Sequence, residues 1–345
     1  MFSPRHLAAV FTAAGSPLEI QERPTLTPGP NDLISEVKSI ALNPMDYMQR
    51  ETGFHVSLNP EVLESDIAGI VVASGTSLNV GARVAAFAAA FWTEGIPDYG
   101  GIISFNEAAL LPMSVSTAWV GWFTIGFQVT PSFTPANKQG MLVWGGASSI
   151  GSAAVQRAKA MGYSVHATAS AKHHGYLKSL GATRVFDCKA AGVEQQILDA
   201  VKEDGVTLRR GYDAVGQQQS CLSVLKECKG DGVAKLAEAL PMKEDSPAVD
   251  GVVAKFIEPF PGIDKLEEQY RFIFNECLQE KLATGEYIPS PKICLVEGGL
   301  HAINEALDTL KQGLRGEACA RDMSRGSKDL SLSREDFLAL NCGAF

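Results

Sequence analysis

The stretch VWGGASSIGSAAVQRAKAMGYSVHATASAKHH, Val143 to His174, decides the fold class. An apolar run ends in a knot of Gly and Ser. A helix-like segment follows, with Ile150, Ala153, Ala154, Ala158 and Met161 on one face. That spacing is the period of a helix packed on a sheet. A second strand-like run, YSVHAT, comes next. In a strand–turn–helix–strand setting, a Gly-rich loop is informative about phosphate binding. Gly145 and Gly146 permit a tight turn and close backbone approach, and Gly151 lets the helix lie near the strand. The free N–H groups and positive dipole end of the helix suit a pyrophosphate. Ala147 to Ile150 are the candidate binding residues, with hydroxyls on Ser148 and Ser149. A glycine turn without a ligand is the competing reading.

The end of the second strand selects the nicotinamide. An Asp or Glu there would hold a ribose 2′-OH. Here the strand runs into Ser170, Ala171, Lys172 and His173, and no carboxylate follows until Asp187. Hydroxyl and cationic donors suit a 2′-phosphate, so NADPH is favoured over NADH. Ser170 as a plain helix N-cap is the bland alternative, and the two roles are compatible.

Outward from this unit, strands and helices keep alternating to about residue 260, which means βαβ units and a parallel sheet. Upstream, the chain is β-rich, with DLISEVKSIAL, SDIAGIVVASG and GARVAAFAAAF as strands of a small barrel. NEAALLPMSVSTAWVGWFTIG is helix-like and broken at Pro112. Downstream, DKLEEQYRFIFNECLQEKLATG is an amphipathic helix ending near Gly285. The expected domains are a catalytic barrel over 1–112, a nucleotide domain over 113–280, a return to the barrel over 281–320, and a polar tail over 321–345.

The chain has 345 residues and a formal net charge of −9, which argues against broad nucleic-acid binding. No apolar run is long enough for a membrane span. The 7 cysteines include no CxxC pair and, with the 6 histidines, form no zinc-spaced cluster. They read as reduced thiols of a cytoplasmic protein.

The order barrel then nucleotide domain, with LNPMDYMQR, ESDIAGIVVASG, GARVAAF, STAWVGW, WGGASSIGSAAVQRAKAMGY and SLGATRVFD, resembles the medium-chain dehydrogenase/reductase superfamily. The resemblance covers roughly 8–315. It is nearest to the zinc-free branch of quinone oxidoreductases and fungal trans-acting enoyl reductases. It implies a Rossmann sheet beside a GroES-like barrel. Where zinc enzymes of the family carry a catalytic Cys and a Gly-His-Glu, this chain has Asn43 and Glu64–Ser65–Asp66. Conjugate reduction without a metal is then the chemistry implied.

By the same resemblance, Met45, Asp46, Tyr47 and Met48 contact the nicotinamide end of the cofactor, as does Leu240. Gly146, Ala147, Ser148, Ser149 and Ile150 hold the pyrophosphate, and Ser170, Ala171, Lys172 and His173 the 2′-phosphate. Cys188 stands at the adenosine, where many relatives have an aromatic residue. Val115, Ser116, Thr117, Ala118, Trp119, Val120, Gly121 and Trp122 line the substrate cleft. Tyr47 is the candidate proton donor and Thr117 lies near the nicotinamide. Asp46 as a turn or cap residue, and Tyr47 as a half-buried barrel tyrosine, are the competing readings.

Two stretches depart from the family. After DYGG the chain runs through Ile102 and Ile103 straight into SFNEAALLP, as if barrel strands were missing and an edge left open. At the C-terminus, KQGLRGEACARDMSRGSKD offers no closing apolar strand. Three functions follow. One is an NADPH-dependent enoyl reductase, acting alone or with a polyketide synthase on carrier-bound substrate. The second is a quinone or carbonyl reductase of free small molecules. The third is an NADPH-binding protein with an impaired cleft. A monomer and a homodimer are both compatible with the sequence.

Overall fold

The computed structural model describes residues 3–30, 32–56, 58–63, 66–87, 95–96, 103–126, 137–242, 246, 248–258, 268–313 and 337–340. The chain divides into one unit of Met1–Met113 with Glu267–Cys342, and a second of Ser114–Leu266 with Gly343–Phe345.

The first unit opens with β1 (Arg5–Phe11), β2 (Glu19–Pro24) and β3 (Leu33–Leu42). Helix α1 (Pro44–Thr52) starts on a proline, whose missing N–H costs nothing at that position. Then come β4 (Glu61–Val62), β5 (Asp66–Ser74), β6 (Arg83–Phe87), β7 (Gly95–Ile96) and α2 (Phe105–Ala109). Ser104 and Glu107 close a capping box on α2. Pro112 breaks the helical run as expected: α3 (Pro112–Thr124) begins on it.

The second unit is a run of βα repeats. β8 (Gln139–Trp144), α4 (Ser149–Ala160), β9 (Ser164–Ala169), α5 (His174–Leu180), β10 (Arg184–Asp187) and α6 (Val193–Asp204) come first. β11 (Thr207–Asp213), α7 (Gln218–Cys228), β12 (Ala234–Glu238) and β13 (Val252–Phe256) follow. Every pairing in this sheet is parallel, in the order β10-β9-β8-β11-β12-β13. This is the doubly wound Rossmann order, with its switch point between β8 and β11. β8 is central, and Gly140 to Trp144 are buried, which explains its unbroken apolar run. One face packs Leu142, Trp144 and Leu208 against Ile197 and Val201 of α6 and Leu222 and Leu225 of α7.

The chain then re-enters the first unit. A π-helical stretch, Arg271–Leu278, runs into α8 (Gln279–Thr284) and stops at Gly285, as the sequence predicts. β14 (Cys294–Glu297) and α9 (Ile303–Lys311) follow. Ile303, Ala306, Leu307 and Leu310 of α9 pack with Phe11, Leu18, Leu42 and Leu63.

Two expectations need correction. The tail is not strandless: β15 (Phe337–Leu340) lies parallel to β3 and antiparallel to β14. Four apolar residues in a polar stretch carry a weak signal, but backbone groups beside β3 and β14 need partners. The cysteines are not all thiols either. Cys188, Cys221, Cys228 and Cys277 are free, whereas Cys294 is disulfide-bonded. The larger sheet of this unit runs β14-β15-β3-β5-β6-β7, so β7 and β14 are its edges among the described residues. Most of the shortened barrel segment, 88–94 and 97–102, lies outside those residues. No helix among the described residues is long and apolar enough to cross a membrane.

The Tyr212 ring is fully buried in the second unit, and its hydroxyl donates to the Thr117 carbonyl at 2.8 Å. Tyr212→Phe removes this buried hydrogen bond and should lower stability by about 0.5 to 1.5 kcal/mol, read from chemical denaturation.

Candidate cofactor site

β8 ends at Trp144, and the chain turns at once into α4. Gly145 makes the turn with φ of 77°, and an added Cβ would lie 2.5 Å from a methyl of Val215. Its N–H donates to the Thr168 hydroxyl at 3.0 Å, and the Gly146 N–H donates to the Thr168 carbonyl at 2.8 Å. Thr168 therefore moors the glycine loop to β9. Ser148 caps α4: its hydroxyl accepts from the Gly151 N–H at 3.0 Å and donates to the Gly145 carbonyl at 2.8 Å. Gly151 is where helix and turn meet, since a Cβ there would sit 2.2 Å from the Gly145 oxygen.

These bonds use up some N–H groups and leave others. Among the described residues, the N–H groups of Ser149 and Ile150 find no protein acceptor. They head a helix with Arg157 and Lys159 in its last turn, so its dipole is complemented at the far end. A helix start with unpaired N–H groups is a fitting cradle for a dinucleotide pyrophosphate.

The second candidate segment follows β9. Ser170 stands at the N-cap of a single 3-10 turn over Ala171–His173, without a side-chain cap bond. Lys172 is exposed, and among the described residues no ion pair takes up its ammonium. The Ala169 carbonyl accepts from the Cys188 N–H at 3.1 Å and lies 3.3 Å from His174 Nε2. Cys188 is thus tied to the end of β9, beside Ser170 in the chain. Asp187 pairs in register with Ala169, but its carboxylate accepts from the Lys189 N–H at 3.1 Å.

A third segment, unread in the sequence, completes the loop cluster. Asp213 ends β11, and one oxygen of its carboxylate accepts from the N–H groups of Val215 and Gly216, each at 3.0 Å. Val215 fills the space over Gly145, and Leu240 packs onto Gly216. Within the second unit the structure therefore brings together Gly145–Ile150, the end of β9, the 214–217 turn and Leu240. The available signal was YDAVG: an Asp followed two residues on by a backbone donor is a side-chain-made turn.

The predicted substrate residues mostly serve packing. Val115, Ser116, Ala118, Trp119, Val120, Gly121 and Trp122 are buried, and Thr117 is half-exposed. The Arg157 guanidinium lies 4.0 Å from the Trp119 ring centre, Trp122 sits beside Tyr163, and Gly121 lies against Tyr212.

In the first unit, Asp46 is buried and its carboxylate accepts from the Asn43 N–H at 2.5 Å, which is a capping role at the start of α1. Met45, Tyr47 and Met48 are half-buried on the same helix. Tyr47 packs against the α9 core, and its hydroxyl is pushed above its ordinary range by burial and by Glu51, with Lys311 opposing. The amide of Asn43, which stands at the position of the family's catalytic Cys, donates to Asp66 at 3.0 Å, and Asp66 also accepts from the Met113 N–H at 2.9 Å. Glu64 and Ser65 lie outside the described residues.

Comparison with known proteins agrees with this architecture. Residues 149–249 match the family described as zinc-binding dehydrogenase. Trans-enoyl reductase tndF of Aspergillus flavipes is 42% identical over 336 residues, spanning 90% of this chain and 97% of that one. The chain belongs to the medium-chain dehydrogenase/reductase superfamily. Trans-enoyl reductase tazE of Aspergillus terreus is 42% identical over 286 residues, covering 76% of this chain and 94% of the relative. The crystal structure of CurK enoyl reductase superposes with a TM-score of 0.69 at 18% identity, over 98% of this chain and 99% of that one. This likeness is one of fold. As expected, the superfamily's nucleotide sheet is here the second unit, with a nicotinamide cofactor implied by the fold.

Gly151→Ala tests the cradle. The methyl group cannot fit against the Gly145 oxygen, so α4 must shift. Stability should fall by about 1 to 3 kcal/mol by denaturant titration, and dinucleotide affinity should fall more than tenfold.

Proposed function

We propose that the chain is an NADPH-dependent, zinc-independent oxidoreductase that reduces an activated carbon–carbon double bond. The observation that carries the cofactor reading is the pairing of two features: the unpaired N–H groups at the start of α4, and a β9 that runs into Ser170, Lys172 and His173 without a carboxylate. The first suits the pyrophosphate, the second a 2′-phosphate. The names of the two Aspergillus relatives support enoyl reduction as the reaction.

The donor set supports a metal-free reading. A zinc site of this kind takes thiolate and imidazole donors. Here the thiolate position is Asn43, whose buried amide already bonds Asp66, and the imidazole position is a serine, Ser65. Conjugate reduction needs no Lewis acid if hydrogen-bond donors meet the carbonyl oxygen where charge collects.

NADPH, when bound, supplies hydride to the β-carbon of the enone or enoyl thioester. The protein's part is to hold and to protonate. Ser149 and Ile150 N–H groups fix the pyrophosphate, and Lys172 with Ser170 and His173 selects the phosphorylated ribose. Met45, Met48 and Leu240 bound the nicotinamide end, and Cys188 the adenosine. Thr117, half-exposed on α3, serves the reacting region. Tyr47 returns a proton to the α-carbon, as a phenol that is protonated at neutral pH. We further propose a polyketide synthase as partner, presenting the enoyl chain on a carrier.

Lys172→Ala should raise the KM for NADPH about tenfold and leave that for NADH within about twofold, since one exposed charge-assisted contact is removed. Steady-state rates with an enoyl thioester check this. Equal loss with both cofactors would count against the 2′-phosphate assignment. Turnover of a quinone with none of the enoyl thioester would favour quinone reduction instead.

A further inference from the structure

The Asp213 carboxylate that holds the 214–217 turn does not stand by itself. β11 and β12 run parallel in register, and Asp213 pairs with Glu238 at their carboxyl ends. Both side chains are buried, at 0% and 2% exposure. The two carboxyl groups lie within interaction reach of each other, and Gln218 of α7 within reach of Glu238. Asp213 Oδ2 and Glu238 Oε1 receive no donor from the rest of the described protein. Two ionised carboxylates in this setting would be bare buried charges side by side, which is a costly arrangement. One proton between them removes the conflict. Glu238 then donates, and Asp213 stays free to accept from Val215 and Gly216.

Among the described residues, the surroundings bring no cation to neutralise a second charge. From α7 the facing ionisable group is Cys221, a buried thiol pushed well up by burial and by these carboxylates and Glu194. Lys226 and Glu227 of α7 and Lys255 of β13 are exposed, and β8 carries no ionisable side chain. Arg157 of α4 is engaged over Trp119. Tyr212 bonds Thr117. Burial, then the Asp213 charge, push Glu238 up to about 8, and burial raises Asp213 as well.

We propose that Asp213 and Glu238 form a one-proton positioning pair: sharing a single proton, they hold the 214–217 turn against the glycine loop, and ionisation of both weakens cofactor binding. The link to the loop is short. Asp213 fixes Val215, Val215 covers Gly145, and Gly216 carries Leu240. The inference rests on the cofactor reading given above.

The sign follows from linkage. Glu238 holds its proton more tightly folded than unfolded, so its stabilising contribution is complete below about 4.5 and is lost as pH rises through about 8.

The experiment is NADPH titration by fluorescence on the full chain, from pH 7 to 9.5, for wild type, Glu238→Gln and Asp213→Asn. The dissociation constant of wild type should rise about tenfold between pH 7 and pH 9. In each variant an amide supplies the bridging donor without a titrating proton, so its profile should stay flat within about twofold. Having two variants covers the failure of either to fold. Melting temperatures over the same range should fall in wild type and stay level in the variants. Wild-type binding that is flat with pH, or variants that keep the wild-type slope, would overturn the pair and leave the cofactor reading standing. Absence of binding at pH 7 in wild type would overturn that reading, and the pair with it.

Discussion

Helix α4 reaches the end of β8 because nothing stands between Gly151 and the Gly145 carbonyl. A methyl group on Gly151 would lie 2.2 Å from that oxygen. The close approach sets where the helix starts, and therefore where its first N–H groups point. Thr168 ties the turn to β9 from one side, and Val215 packs on it from the other. The loop cluster at the β8–β11 switch point is thus over-determined. Three neighbouring strands each send one group to it, which is the setting a pre-formed binding site requires.

The first unit uses polar burial differently. Asn43, Asp46 and Asp66 are all buried, and they bond one another and nearby backbone. These bonds serve local structure. Asp46 orders the start of α1, and Asp66 receives the N–H of Met113.

How much could be read from the sequence depends on how local each feature is. The βα repeats, the helix stop at Gly285 and the glycine loop lie within a few residues each, and they were legible. The break at Pro112 was legible for the same reason. The Asp213–Glu238 pair was not. Its members are distant in the chain, and parallel register alone brings them together. β15 was missed because Phe337–Leu340 is only four apolar residues in a polar stretch and is defined by the strands on either side. The burial of Val115–Trp122 was missed because an apolar helix reads the same whether it lines a cleft or fills a core. Trp119 under Arg157 and Gly121 against Tyr212 place most of it in packing.

The central claim is that the loop cluster of the second unit takes a phosphorylated dinucleotide. Isothermal titration of the wild-type chain with NADPH and NADH at pH 7 tests it most directly. The account predicts one site, with NADPH bound at least tenfold more tightly than NADH. Equal affinities, tighter NADH, or no heat with either would contradict it.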